Sequence, residues 1–265
     1  MGDVETHFGR YRNAQQADKH NRTHFICLKH PQKPVISTVC NFFRLPTFNG
    51  RLNAAVESDI VGYTTITMEA GKWYQVGTPF VALEEGVAQK LNDVFTEGFG
   101  AGDTLQVYNP DSSTYATYRW NTYKNGWAAN TSPVATLSDV VLPTGQAVFI
   151  NKKVQGDVVF SGKVSVEEAV TFGNENAASW SQFVCVYPDT VKLNGIAWSG
   201  LAAGDILQIY NADTATYATY RWNTYKNGWA SNTSPVATLA DVDVPAGQAF
   251  FVNKQTPGIG SCSYQ

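Results

Sequence analysis

The sequence predicts an all-β protein made of two tandem β-sandwich or barrel-like domains. The first observation is a long internal repeat: residues 102–152 and 204–254 align without a gap, and roughly three-quarters of their positions are identical. The second observation is composition, because the chain has 22 Gly, 11 Pro and 13 Tyr but only 15 % charged residues. Such a composition favours strands and turns. A repeat unit of about 100 residues has the size of a small domain.

The charge distribution separates a leader from the repeat-bearing body. All 4 histidines lie in the first thirty residues, where basic residues also concentrate, and the acids concentrate after Val56. We predict a basic leader or disordered extension at 1–55, a first β domain at 56–157 and its duplicate at 158–265. The leader can be a degenerate signal peptide, a misassigned start or a functional extension. Its H-x2-C-x2-H spacing fits no standard zinc pattern, so we predict no metal site.

The elements of each unit follow from local patterns, taken in chain order. "GYTTITME" alternates in the manner of a strand, and "WYQVGTPFVAL" is a second extended stretch broken at Gly77 and Pro79. "KLNDVF" and "KLNGIA" are expected to form short helical turns. "TLQVY" predicts a strand, and the apolar run "QAVFINK" predicts a strand that is buried on both sides.

A hairpin is the sharpest local prediction. Asn125-Gly126, repeated as Asn227-Gly228, is the sequence preferred in two-residue type I′ loops, which need positive φ at both residues. This loop would pair Lys124 with Trp127 in the first copy.

The hairpin also divides the aromatic residues between two faces. Tyr118, Trp120 and Trp127 are expected to share one face, and we assign the two tryptophans to the core. The opposite face mixes rings with charge, as surfaces and interfaces do. The segment 115–128 is unchanged in the duplicate. We therefore predict ligand or interface residues on this face, namely Tyr115, Arg119, Tyr123, Tyr217, Arg221 and Tyr225.

The composition also excludes several function classes. A net charge of −3 gives no electrostatic basis for nucleic-acid binding. No apolar run approaches the ~18 residues of a membrane span. The repeat body has no histidine and no phosphate-binding glycine loop, so we predict no catalytic residues, no metal and no cofactor. The duplicated acids lie in turn contexts that predict backbone capping rather than paired catalytic carboxylates.

Several segments together resemble large paralogous families of uncharacterised secreted bacterial β-domain proteins. They are "IVGYTTITMEAGKWYQVGTPF", "KLNDVF", "GDTLQVYN", "YATYRW", "NGWA" and "LPTGQAVFINK", and the resemblance spans residues 59–254. The chain departs from the pattern at "QVGTPF", where those families often have Asn before Pro. The resemblance implies export and an extracellular or cell-surface setting, and it implies no activity.

Export would allow the two cysteines of the second unit, Cys185 and Cys262, to form a disulfide. The expected function is a non-enzymatic extracellular structural or adhesive protein that binds itself as a homo-oligomer or filament. The alternative is a carbohydrate-binding module that holds a surface polysaccharide on the aromatic hairpin face. A glycan-active enzyme is the third hypothesis.

Overall fold

The computed structural model describes residues 61–84, 87–165 and 167–264, and it is almost entirely β. The predicted all-β fold class is therefore confirmed. The leader predicted at 1–55 lies outside the described residues. The first repeat unit contains β1 (Val61–Met68), β2 (Trp73–Gly77), β3 (Gln89–Lys90), α1 (Leu91–Val94), β4 (Thr104–Asn109), β5 (Thr114–Asn121), β6 (Gly126–Ala128), β7 (Val141–Leu142), β8 (Ala147–Asn151) and β9 (Gly156–Lys163).

The second repeat unit repeats this order with small changes, and a 3-10 helix (Leu193–Gly195) replaces the single turn of α1. Its strands are β10 (Val170–Asn174), β11 (Ser179–Val184), β12 (Val191–Lys192), β13 (Ala197–Ser199), β14 (Ile206–Asn211), β15 (Thr216–Asn223), β16 (Gly228–Ala230), β17 (Asp243–Val244), β18 (Ala249–Lys254) and β19 (Gly258–Ser263).

Each unit is built on a five-stranded antiparallel sheet. The strand orders are β2-β8-β4-β5-β6 and β11-β18-β14-β15-β16. The registers agree across the repeat, since Leu105 pairs with Tyr118 and Leu207 pairs with Tyr220. Smaller sheets close each unit: β1 with β9 in the first, and β10-β19-β13 in the second. The duplicated segments thus have the same strand order, as their identity predicts.

Each unit has its own hydrophobic core on one face of its large sheet. Trp120 and Trp127 lie in the first core, and Trp222 and Trp229 lie in the second, where the sequence placed them. Strand β8 is buried on both sides, also as predicted. Because one side faces its own core, its other side is free to pack against the second unit.

The end of the first unit lies later in the chain than the sequence suggested. The boundary between residues 157 and 158 falls inside β9, which pairs along its length with β1. Val158 and Phe160 are fully buried in the first core. The apolar residues of β9 therefore pack in the core of the first unit, beside its pairing partner β1.

Candidate functional site

The predicted two-residue hairpin loop is wrong in both copies. Trp120 pairs directly with Trp127, so residues 122–125 form a four-residue loop. The Oδ1 atom of buried Asn121 accepts the backbone N–H groups of Tyr123 at 3.1 Å and Lys124 at 3.2 Å. This side-chain cap builds the first half of the loop. Asn125 alone of the predicted pair has positive φ, at 51°.

Gly126 is a strand residue, and close packing explains why glycine stands there. A Cβ at this position would lie 2.8 Å from Asn92 Oδ1 and 3.0 Å from Leu137 Cδ1. Asn92 accepts the Trp127 N–H at 2.5 Å and donates to the carbonyl of Ser138 at 2.8 Å. The second unit repeats this arrangement around Gly228. The Asn-Gly signal therefore reports a close approach of helix α1 to the hairpin.

A second loop is tied to the hairpin loop. Asn121 Nδ2 donates to the carbonyl of Ser132 at 2.7 Å, so a single buried amide holds both loops. Each loop exposes one apolar side chain: Tyr123 is 75 % exposed and Val134 is 85 % exposed. We call loops 122–125 and 130–135 together the hairpin tip of the first unit.

The second unit carries an equivalent hairpin tip in loops 224–227 and 232–237. Asn223 makes the same bonds, and Tyr225 and Val236 are 76 % and 84 % exposed. The sequence selected Tyr225 but overlooked the valines. The sequence did contain an indication of them, because both units keep a valine in the turn-forming segment "NTSPVAT", where an apolar side chain is expected to be exposed.

The six predicted contact residues do not form one continuous face. Tyr115 lies at the start of β5 and Tyr123 lies beyond its end, roughly 25 Å along an extended strand. Arg119 is exposed between them. Tyr115 instead joins an aromatic cluster, with ring centroids 5.1 Å from Tyr108 and 5.8 Å from Phe149.

That aromatic cluster belongs to a contact between the two units. The ring of Tyr108 lies 5.2 Å from Phe251, and the equivalent pair, Tyr210 and Phe149, is 5.3 Å apart. Both pairs meet edge to face, an arrangement that aromatic rings favour. The sheet faces opposite the two cores therefore pack against each other and partly cover the tyrosines that the sequence assigned to external contacts.

The tyrosine hydroxyls in this contact are shifted in acidity. Partial burial, with a contribution from nearby Tyr217, raises the pKa of Tyr115. Partial burial, with a contribution from Tyr210, raises the pKa of Tyr217 to about 12. Both side chains keep about a third of their surface exposed, at 37 % and 36 %.

A groove of about 440 Å³ lies between the units. The first unit contributes β1 and β2, and the second contributes the end of β14, β15 and the turn before β18. Beside the groove, Lys72 Nζ forms an ion pair with Asp213 at 2.7 Å, which joins the units. Hydrogen bonding to this carboxylate raises the pKa of Lys72. The volume lies within the roughly 300–1,000 Å³ typical of small-molecule sites.

Two buried glutamines stand at equivalent positions of the inter-unit contact. Gln75 pairs in register with Phe149, and Gln182 pairs with Phe251. They are 3 % and 6 % exposed, and neither end of either amide has a hydrogen-bond partner. Gln75 lines the groove. Such groups are uncommon in folded proteins, because a buried unpaired amide costs about 1–3 kcal/mol.

The duplicated Asp103 and Asp205 do more than cap turns. Asp103 accepts the Gly100 N–H at 2.9 Å, as turn capping predicts, and also forms a buried ion pair with Lys152 at 2.6 Å. Lys152 additionally donates to the carbonyl of Gly98. Asp205 and Lys254 repeat the pair at 3.2 Å. These groups are fully engaged inside the fold.

Cys185 and Cys262, the two cysteines that the sequence suggested as a pair, form a disulfide with their Cα atoms 6.1 Å apart. Among the described residues, no group of three or more His, Cys, Asp or Glu side chains is arranged to hold a metal ion. The described residues also contain no helix of sufficient length and apolarity to cross a membrane.

Comparisons of the chain with protein-family models, with curated proteins and with solved structures find no match.

Proposed function

We propose that this chain is a non-enzymatic extracellular or cell-surface structural or adhesive protein that self-associates through its two hairpin tips. The observation that carries the proposal is the exposure of the same apolar pair, Tyr and Val, on both tips. Tyr123 and Tyr225 keep about three-quarters of their surface exposed. Large exposed apolar side chains that recur in one constellation are typical of interaction surfaces.

The tips are also preorganised for contact. Asn121 fixes both loops of the first tip from within the fold, and Asn223 does so in the second. Loops that are ordered before association lose less conformational entropy when they bind. A rigid tip with a tyrosine at its centre therefore favours specific contact.

Two tips on one chain give the molecule two equivalent contact points. A tip-to-tip contact between chains leaves each chain with a second free tip, so association can continue into larger assemblies. A chain with a single working tip would stop at the dimer. The mass of the assembly therefore distinguishes a chain with two working tips from a chain with one.

Light scattering as a function of concentration tests the proposal. The wild-type mass should rise beyond that of a dimer, whereas Tyr225→Ser with Val236→Ser should stop at the dimer. Adding Tyr123→Ser and Val134→Ser should leave a monomer. Val154→Ser is the control, because Val154 is 70 % exposed but lies outside the tips. A wild-type protein that stays monomeric at all concentrations, or a control that also blocks association, would refute the proposal.

The hairpin face gains less support as a carbohydrate-binding surface. Tyr115 and Tyr217 pack against Tyr108 and Tyr210, the two tyrosines that contact the other unit. They lie away from the exposed tyrosines of the tips. A glycan-active enzyme needs two carboxyl groups across a cleft, and the inter-unit groove is lined by uncharged residues. Carbohydrate binding finds better support in that groove itself.

A further inference from the structure

We infer that the groove between the two units is a binding site for an uncharged oligosaccharide. This inference is independent of the hairpin tips and of self-association. It rests on the residue composition of the groove. It rests also on the asymmetry of the groove, because the two units contribute different elements to it.

The lining of the groove contains no ionisable acid or base other than tyrosine. Asp, Glu, Lys, Arg and His are all missing from it, although the chain as a whole carries 41 Asp, Glu, Lys and Arg residues (22 acidic and 19 basic). A charged ligand would lose its hydration in this groove without gaining a counter-charge. The chemistry of the site therefore favours a neutral, hydrogen-bonding ligand.

Three tyrosines supply the aromatic part of the groove. Tyr74 comes from β2 of the first unit, and Tyr210 and Tyr220 come from β14 and β15 of the second. All three are partly exposed. Aromatic rings offer flat apolar surface with a polar rim, which suits the C–H faces and hydroxyl edges of a sugar ring.

Amides and hydroxyls supply the polar part. Asn211, Thr65 and Gln248 line the groove. A sugar hydroxyl both donates and accepts a hydrogen bond, so it can bond to amide and hydroxyl groups alike.

The two units do not contribute equivalent residues to this site. Tyr74 pairs in register with Ile150, and the corresponding residue of β11, which pairs with Val252, is Ser181. The ring that the first unit presents is thus absent from the equivalent position in the second. This asymmetry supplies matched controls for each variant.

The first experiment is a glycan array that carries both neutral and anionic oligosaccharides, probed with the full chain. We expect retention of neutral glycans and no retention of uronate-containing or sulfated ones. Retention of no glycan at all, or of anionic glycans alone, would overturn the inference. The retained oligosaccharide then serves as the titrant for the variants below.

The second experiment fills the groove. Ala218 is exposed on β15 and lines the groove, and its repeat counterpart Ala116 is exposed on β5. Ala218→Arg should weaken binding more than tenfold because it adds bulk and charge, and Ala116→Arg should change binding less than twofold. Equal effects of the two substitutions would place the site elsewhere.

These outcomes are separable from those of the proposed self-association. The tip substitutions at Tyr225 and Val236 lie outside the groove and should leave glycan affinity unchanged. Ala218→Arg should leave the concentration dependence of light scattering unchanged. Failure of one proposal therefore leaves the other standing.

Discussion

The backbone N–H of Gly77 donates to the carbonyl of Gly247 at 3.1 Å and so joins the edge strand of the first large sheet to a turn of the second unit. The contact is reciprocal, because Val184 donates to the carbonyl of Gly145, the repeat counterpart of Gly247, at 2.7 Å. Each unit thus covers part of the edge strand of the other, which protects an edge that would otherwise be open to pairing with other chains.

Gly247→Ala should destabilise the protein through this contact. Gly247 has a φ of 80°, and a Cβ there would lie 2.9 Å from the carbonyl oxygen of Gly77. Gly204→Ala is the control, since Gly204 has a similar φ of 93° but its nearest neighbour is 3.9 Å away. Chemical denaturation should show a loss for Gly247→Ala that exceeds the control by about 1–3 kcal/mol. Equal losses would mean that the backbone conformation alone matters.

Gly126→Ala should destabilise the hairpin although Gly126 does not need positive φ. The added methyl group would press on Asn92 Oδ1, which holds the hairpin through Trp127. We expect a loss of about 1–3 kcal/mol in the free energy of unfolding. Gly156→Ala, at a strand glycine with open space around it, should be close to neutral. A neutral Gly126→Ala variant would contradict the close-packing explanation.

Lys152→Met should be among the most damaging single substitutions. It removes the partner of Asp103, whose side chain is only 2 % exposed. An uncompensated buried charge costs about 3–5 kcal/mol. Lys90→Met removes an equally short ion pair with Asp139, but that pair is exposed to solvent and its loss should hardly change the free energy of unfolding. Denaturant titrations of the two variants would show whether burial sets the difference.

Removal of the disulfide should weaken the second unit. Cys185 and Cys262 close a loop across 77 positions, and disulfides that span loops of this size contribute roughly 2–4 kcal/mol. The first unit has Thr78 and Phe160 at the equivalent positions. Calorimetry of Cys185→Ala with Cys262→Ala should show a lower melting temperature and no further change with reductant. A wild-type protein that is insensitive to reductant would contradict a stabilising disulfide.

Alkaline pH should weaken the contact between the units. Partial burial raises the pKa of Tyr217 in the folded protein to about 12, above the value of about 10 of an exposed tyrosine, so the unfolded chain loses this proton first. The stabilisation is therefore complete below pH 10 and is lost as the pH rises to 12. Denaturant titrations at several pH values should show a falling free energy of unfolding over this interval.

Tyr217→Phe should flatten this pH dependence. Tyr225→Phe controls for the loss of a hydroxyl at an exposed site. A dependence on pH that is identical in Tyr217→Phe and wild type would assign the alkaline sensitivity to other groups.

Local sequence patterns predicted the strands, the helical turns and the buried tryptophans, because these depend on neighbours a few residues apart. The hairpin loop was mispredicted because Asn121 caps the loop through its side chain and Asn92 occupies the space beside Gly126. Propensities for turn types take no account of either contact. The exposed residues Tyr123 and Tyr225 were predicted correctly although the hairpin register was wrong, because both tyrosines lie at the end of the hairpin with either register.

Apart from the disulfide of Cys185 with Cys262, features that depend on distant parts of the chain could not be predicted from the sequence. The ion pair of Lys152 with Asp103 joins residues 49 positions apart through strand pairing. The groove arises only when the two units pack together, so neither Gln75 nor Tyr220 carries a local signal for it. The repeat identified two copies of one fold but could not indicate which faces of the copies meet.

The reciprocal contact between the units also changes what one substitution can do. In a symmetric dimer of separate chains, a substitution at the interface is present in both subunits and alters two contacts at once. Here the pairs Tyr108 with Phe251 and Tyr210 with Phe149 are encoded separately. A substitution at one of these four positions alters one pair and leaves its twin intact. In the tandem chain, one aromatic pair of the contact between the units can therefore change by mutation while the other pair keeps its residues.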